Sequence, residues 1–74
     1  MLSKNKIKLI DLIKAIDVDN FITIYVYYGG KFIAYAPTLC IECDERDKYI
    51  RRFRIDPVLI GSKIKFNMTV FIYD

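Results

Sequence analysis

Two apolar runs flank the glycine pair Gly29-Gly30, and this pattern predicts a β-hairpin over residues 21–36. A two-residue turn that matches the twist of its strands needs positive φ at its central positions, and glycine adopts positive φ without a Cβ clash. Such a turn places Tyr28 opposite Lys31, and directly opposed residues share one face of the sheet. The hairpin is the part of the chain around which we build the rest of the prediction.

Both faces of this predicted hairpin are largely apolar. One face carries Ile22, Ile24, Val26, Tyr28, Ile33 and Tyr35. The other face carries Phe21, Tyr25, Tyr27, Phe32, Ala34 and Ala36. An antiparallel strand with one face in water would instead alternate apolar and polar side chains. Each face therefore needs a cover, either from the rest of the chain or from a partner.

A short amphipathic helix precedes the hairpin in the pattern. Its apolar residues recur at the i, i+3, i+4 and i+7 positions of one helical face, namely Leu9, Leu12, Ile13 and Ile16. The turn-forming residues at 17–20 end it, so the helix has two to three turns and is about 15 Å long. A helix of this length covers one face of a small sheet and not two.

Between the hairpin and the C-terminal strand the pattern is less regular. We predict a strand over residues 38–42, a charged turn over 43–47 and a further strand over 48–55, while a helix over 40–50 is the alternative interpretation. Residues 56–61 resemble one helical turn, with Asp56 as the cap, Pro57 in the first position and Gly61 at the exit.

The last stretch, residues 63–74, shows the clearest alternation of a strand. Its inner positions are Ile64, Phe66, Met68, Val70 and Ile72. The sequence therefore predicts an α+β fold over residues 1–74 as a single domain, with one N-terminal helix packed on an antiparallel sheet of about four strands.

Length and charge narrow the class of protein. The chain has 74 residues and a formal net charge of +3, which permits an anionic partner without requiring one. No stretch approaches the roughly 18 apolar residues of a membrane span, and the N-terminal residues do not resemble a secretory signal. We interpret the sequence as a complete small cytoplasmic gene product with no membrane partner.

The candidate chemistry is sparse. Cys40 and Cys43 form a CxxC pair, but a structural zinc site needs about four ligands and the chain has no histidine. We interpret the pair as ordinary reduced cysteines; a four-thiolate site shared by a dimer and a redox dithiol are the alternatives. The absence of histidine also removes the usual nucleophile–base pairs, and the carboxylates of residues 42–47 lie in one polar turn. We therefore predict a protein that is not an enzyme and has no cofactor.

The surplus of aromatic residues is the stronger functional signal. Because one helix covers one face, we expect a tyrosine-rich face to remain as a contact surface, which is a common use of tyrosine. The residues we predict to bind a partner are Tyr25, Tyr27, Phe71 and Tyr73, with Arg51, Arg52 and Arg54 as a charged rim. A homodimer is the simplest partner and a foreign protein the next. In the alternative interpretation, residues 37–47 fold over this face and cover it.

A basic stretch supports a different class of partner. Its cations are interleaved with Tyr49 and Phe53, a combination that suits phosphates and stacked bases. These cations are Lys48, Arg51, Arg52 and Arg54. The acidic turn beside them reduces the local field, and basic residues often serve to keep strand edges from pairing. Binding of nucleic acid is therefore the second functional hypothesis.

The layout resembles small accessory proteins of phages and prophages. In these proteins a helix such as residues 9–13 (LIDLI) is followed by a hairpin and a closing strand such as residues 70–73 (VFIY). The resemblance implies a binder directed at a host protein, for example an anti-CRISPR-like inhibitor of a CRISPR effector or another nuclease. It would act in the cytoplasm of the host cell by direct packing, because the mildly basic charge does not suit mimicry of DNA.

Overall fold

Two helices and four strands make up the regular structure of the protein, in a computed structural model that describes residues 6–73. In chain order these are α1 (Leu9–Ala15), a 3₁₀ turn (Val18–Asn20), β1 (Phe21–Tyr28), β2 (Lys31–Tyr35), α2 (Pro37–Cys40), β3 (Ile50–Ile60) and β4 (Lys63–Ile72).

The four strands form one mixed sheet in the order β2-β1-β4-β3. The pairs β1–β2 and β3–β4 are antiparallel, whereas the central pair β1–β4 is parallel. The predicted α+β class with four strands is confirmed, but the prediction of a wholly antiparallel sheet is wrong. The chain crosses from β2 to the far edge, where it forms β3, so β4 enters beside β1 in the same direction. A parallel pair requires such a long crossover.

The predicted hairpin is confirmed in both its turn and its register. Gly29 and Gly30 have φ values of 63° and 80°, the left-handed conformation that the turn needs. Tyr28 lies opposite Lys31, and Val26 lies opposite Ile33. The local sequence was sufficient to predict the hairpin because the two adjacent glycines and the two β-rich runs specify the same structure.

The segment after the hairpin differs from the prediction. Residues 37–40 form the short helix α2 rather than a strand, and residues 41–48 form a series of turns rather than a longer helix. Pro37 occupies the start of α2, where its missing N–H costs nothing because that donor has no partner within a helix. Cys40 closes α2 and is buried.

Residues 56–60 belong to β3, so the prediction of a helical turn there is wrong. Gly61 has a φ of 60° and lies in the two-residue turn that joins β3 to β4, rather than at the exit of a helix. Pro57 lies opposite Phe66 on β3, which is an edge strand among the described residues, and proline is tolerated on such a strand. Residues 56–60 carry the local signals of a helix cap, but they adopt a strand because β3 pairs along the whole of β4.

All the covering elements lie on one side of the sheet, which we call the covered face. The core there is formed by Leu9, Ile13, Ile24, Val26, Cys40, Cys43, Met68, Val70 and Ile72. The backbone N–H groups of Leu9 and Ile10 donate to the carbonyl oxygens of Lys48 and Arg46, at 3.0 and 2.9 Å, so α1 and the turns before β3 form one layer. Residues 37–47 thus pack beside α1, and the alternative that they cover the tyrosine-rich face is wrong.

Candidate functional site: the open face of the sheet

The other side of the sheet, the open face, carries a row of large side chains with one residue from each strand. The strand registers place Phe32, Tyr27, Phe71 and Arg52 side by side across the whole sheet. We call these four residues the aromatic row. None of the helices or turns described in residues 6–73 packs on it, because these elements all contribute to the covered face.

The three rings of the aromatic row contact one another. The ring centroids of Tyr27 and Phe32 are 4.6 Å apart, and those of Tyr27 and Phe71 are 5.8 Å apart. The rings are tilted, a favourable arrangement for aromatic pairs. Phe32 nevertheless remains 59% exposed. The cluster is therefore held in place by its own contacts while a large apolar surface faces solvent.

Arg52 completes the row with a charged edge. Its guanidinium carbon lies 4.2 Å from the centroid of the Phe71 ring, within the range of a cation–π interaction. Arginine that stacks on an aromatic ring keeps its N–H groups at the rim, where they can donate to a partner. Arginine and aromatic side chains are the residue types that contribute most to binding energy in protein interfaces.

A second row lies beside the first. It consists of Ala34, Tyr25, Thr69 and Arg54, again with one residue from each strand. Thr69 is buried although it faces this open side, because its neighbours in the row are the long side chains of Tyr25 and Arg54. Tyr25 is half-buried. The predicted site residues Tyr25, Tyr27 and Arg54 thus lie on one surface.

The remaining predicted site residues are placed differently. Tyr73 follows the end of β4 and is exposed beyond the aromatic row. Arg51 is exposed at an irregularity in the register between β3 and β4, so it does not continue the alternation that aligns Arg52 and Arg54. Lys48 precedes β3 and lies on the covered side, with its Nζ 4.7 Å from the centroid of the Tyr28 ring. The basic stretch is therefore not a single continuous surface.

Phe21 is also displaced from its predicted face. A shift in register between Phe21 and Thr23 brings Phe21 opposite Phe66, and the two ring centroids are 6.0 Å apart. Phe21 packs against the core of the covered face. Phe32, in contrast, belongs to the open face as the alternation of the hairpin indicated, although it was not among the residues predicted to bind a partner.

The acidic side chains are unequally divided between the two sides of the sheet. The open face carries the cations Arg52, Arg54, Lys63 and Lys65 and a single described carboxylate, Asp56. The acidic turn lies on the covered side, where Glu45 accepts a hydrogen bond from Tyr35. The acidic turn therefore reduces the positive field of Arg52 and Arg54 less than the sequence suggested. Two of the cations are engaged, however, since Arg54 pairs with Asp56 at 3.1 Å and Lys65 donates to the Asp19 carbonyl at 3.2 Å.

Cys40 and Cys43 are free and buried in the core. Burial and the neighbouring Cys43 raise the pKa of Cys40 to about 12, and burial also raises the pKa of Cys43. Thiols with raised pKa values are poor nucleophiles and poor metal ligands, so the pair lacks the activation that a redox dithiol needs. Within residues 6–73 no group of three or more cysteine, aspartate or glutamate side chains is arranged to hold a metal ion.

One polar contact of the covered face was not predicted. The Tyr35 hydroxyl donates to Glu45 Oε1 at 2.7 Å, and Glu45 is only 7% exposed. The hydrogen bond and burial raise the pKa of Tyr35. Sequence alone offered only a weak signal, because Glu45 lies in a run of charged residues that suggests full solvation.

Comparison with family models, with curated proteins and with solved structures found no match to this chain. The resemblance to phage accessory proteins therefore stays a prediction. Within the described residues, no helix has both the length and the apolar character needed to cross a lipid bilayer.

Proposed function

We propose that this chain is a non-enzymatic binding protein that holds a partner protein on the open face of its sheet. The observation that carries the proposal is the aromatic row, which extends across all four strands and ends in Arg52. A cluster of contacting rings with an arginine at its edge has the composition of an interface centre, where truncation of single side chains usually costs the most binding energy.

A protein partner suits this surface better than a nucleic acid does. Arg54 already has a carboxylate partner in Asp56, and Arg52 lies over Phe71 rather than apart from the rings. Bases stack on ring faces that are free, whereas the rings of Tyr27 and Phe71 are tilted against each other. A protein surface can pack against such an uneven apolar cluster.

The resemblance to phage accessory proteins suggests the kind of partner. On this hypothesis the chain acts in the cytoplasm of a host cell and occupies a surface of a host defence protein, such as a CRISPR effector or another nuclease. Inhibition by direct packing requires no catalytic group of the chain.

The test is an affinity capture from host lysate with tagged wild-type protein and two variants, after nuclease treatment. Tyr27→Ala removes the central ring of the aromatic row, and Tyr49→Ala is the matched control because Tyr49 is exposed outside that row. We expect one host protein to be recovered with wild type and with Tyr49→Ala, and to be lost with Tyr27→Ala.

Circular dichroism checks that both variants are folded. Equal recovery of the host protein by folded Tyr27→Ala would contradict the assignment of the aromatic row as the binding surface. A molten Tyr27→Ala variant would show that Tyr27 is needed for the fold and would remove it from the site. The capture experiment is then repeated with Phe32→Ala, which truncates a more exposed ring of the aromatic row.

Single-stranded nucleic acid is the second candidate, because four cations and one described carboxylate share the open face with the rings. This candidate predicts binding that weakens steeply with salt, since each neutralised phosphate releases counterions. The measurement is a fluorescence anisotropy titration of labelled single strands at several salt concentrations, with Arg52→Gln as the variant. Binding that is absent, or that does not change with salt, would eliminate it.

A further inference from the structure

The outer edge of β3 is a second surface, separate from the aromatic row. Strand β3 pairs with β4 along one side only, and Ile7 and Lys8 reach its other side just at its start. There the Ile50 N–H donates to the Ile7 carbonyl at 2.9 Å. Beyond this point no described element pairs with the edge, so within residues 6–73 the outward-facing backbone groups from Phe53 onward have no strand partner.

The register of the β3–β4 hairpin identifies which residues point outward. Ile60 and Lys63 flank the two-residue turn and form its closing pair, so the residues of β3 that bond to β4 are the even-numbered ones. The N–H and C=O groups of Phe53, Ile55 and Leu59 then face the open edge. Pro57 falls in the same outward set, which agrees with its lack of an N–H group to give to β4.

The side chains of these outward residues form an exposed apolar strip on the same side of the sheet as α1. Phe53, Ile55 and Leu59 are 46%, 43% and 72% exposed. The opposite side of the same stretch carries Arg54 and Asp56, which lie two positions apart and are joined at 3.1 Å. An apolar strip, an edge that no described strand pairs with and a cation–anion pair therefore coincide within residues 53–59.

We propose that a second copy of this chain pairs with this edge, β3 against β3, in an antiparallel arrangement with Ile55 on the two-fold axis. In this register Ile55 lies opposite Ile55 of the second copy, and Phe53 lies opposite Pro57. Arg54 lies opposite Asp56 of the second copy, and Asp56 lies opposite Arg54, so both charged pairs form across the interface. The two sheets then join into one sheet of eight strands.

Charge selects this register over its neighbours. A shift of the axis to residue 54 would place Arg54 opposite Arg54, and a shift to residue 56 would place Asp56 opposite Asp56. Like charges that are directly opposed on paired strands are destabilising. An edge with these charges thus resists pairing in other registers, which is a common means of limiting aggregation at sheet edges.

The dimer does not rest on the proposed function, because it uses the edge of the sheet rather than the aromatic row. It nevertheless has a consequence for that function. The open faces of the two copies would lie side by side in one continuous sheet, and the bound surface of a partner could extend over both.

A charge-swap experiment tests the pairing between chains. Arg54→Asp places a carboxylate opposite Asp56 of the second copy, and Asp56→Arg places a guanidinium opposite Arg54 of the second copy. We expect each variant alone to dimerise on the order of tenfold more weakly than wild type. An equimolar mixture of the two variants restores both opposite-charge pairs, so we expect a heterodimer of near wild-type affinity.

Analytical ultracentrifugation measures each state, and Lys31→Asp is the control because Lys31 is an exposed cation on another strand. Within each single variant the contact between residues 54 and 56 is lost, so recovery on mixing reports on the contact between chains and not on the fold. A monomeric wild type would overturn the proposal, and so would single variants that dimerise as tightly as wild type or a mixture that dimerises no more tightly than the single variants.

Discussion

Ile24 and Tyr25 are neighbours on β1, yet they lie in opposite environments. Ile24 is completely buried under the helical layer, whereas Tyr25 is half-buried in a face that no described element covers. Both faces of the strand are apolar, so composition does not distinguish them. The difference arises because α1 and the turns before β3 bond to each other and form a single layer on one side. An apolar face that residues 6–73 leave uncovered in this way is a surface for contacts with other molecules.

The largest expected effect comes from truncating these two neighbours. Ile24→Ala should lower the free energy of unfolding by about 2–5 kcal/mol, since it leaves a cavity in a packed core. Tyr25→Ala should cost much less, because part of the ring already contacts water. Urea denaturation monitored by circular dichroism measures both values.

A chain of this size has a stability of only about 3–5 kcal/mol, so Ile24→Ala is expected to be largely unfolded. The milder variant Ile24→Val, which should cost about 0.5–1.5 kcal/mol, keeps the comparison measurable. We expect Tyr25→Ala to stay folded where Ile24→Ala does not, and a Tyr25→Ala variant that is also unfolded would show that the open face is part of the core.

The polar contact under the helical layer gives a smaller effect with a distinct pH dependence. Tyr35→Phe should destabilise the protein by about 1–3 kcal/mol at neutral pH, because Glu45 loses a hydrogen-bond donor while buried. The pKa of Tyr35 is raised in the folded state above its ordinary value of 10.0. The folded chain therefore holds the phenolic proton more tightly, and this stabilisation is present below pH 10 and is lost as the pH rises further.

The measurement is the free energy of unfolding of wild type and Tyr35→Phe from pH 8 to about pH 11. Every other titratable group is present in both proteins, so the difference between the two curves isolates Tyr35. We expect this difference to shrink above pH 10. A difference that stays constant would mean that the Tyr35 proton is not held more tightly in the folded chain.

The sequence predicted the elements whose signals are local. The helix over residues 9–15 and the hairpin over 21–35 each combine a periodic pattern with turn-forming residues at their ends. Residues 37–60 lack such agreement, because short apolar runs suit a strand or a helix equally. Asp56, Pro57 and Gly61 imitate the start and end of a helical turn. The dipeptide Gly61-Ser62 is also a hairpin signal, and weighing it would have favoured the longer strand β3.

The candidate site was predictable only in part, because local patterns do not determine which distant strands pair. Alternation along β1 and β4 is enough to place Tyr25 and Tyr27 on one face of β1 and Phe71 on one face of β4, but not to tell which face stays uncovered. The neighbours of these rings depend on pairing between strands that are distant in the sequence, above all the parallel pair β1–β4. The contact of Arg52 with Phe71 and the position of Lys48 on the other side could therefore be found only in the structure.

The smallest expected effect distinguishes two cations that the sequence had grouped together. Lys48 lies 4.7 Å from the ring centroid of Tyr28 on the covered side, and Arg52 lies 4.2 Å from that of Phe71 on the open side. Lys48→Gln and Arg52→Gln should each lower the free energy of unfolding by about 1 kcal/mol or less, since such contacts are weak when exposed. Titration of the captured host partner, followed by calorimetry, should show weaker binding for Arg52→Gln alone. If Lys48→Gln weakened binding equally, the partner would have to contact both sides of the sheet, and the separation of a structural face from a binding face would fail.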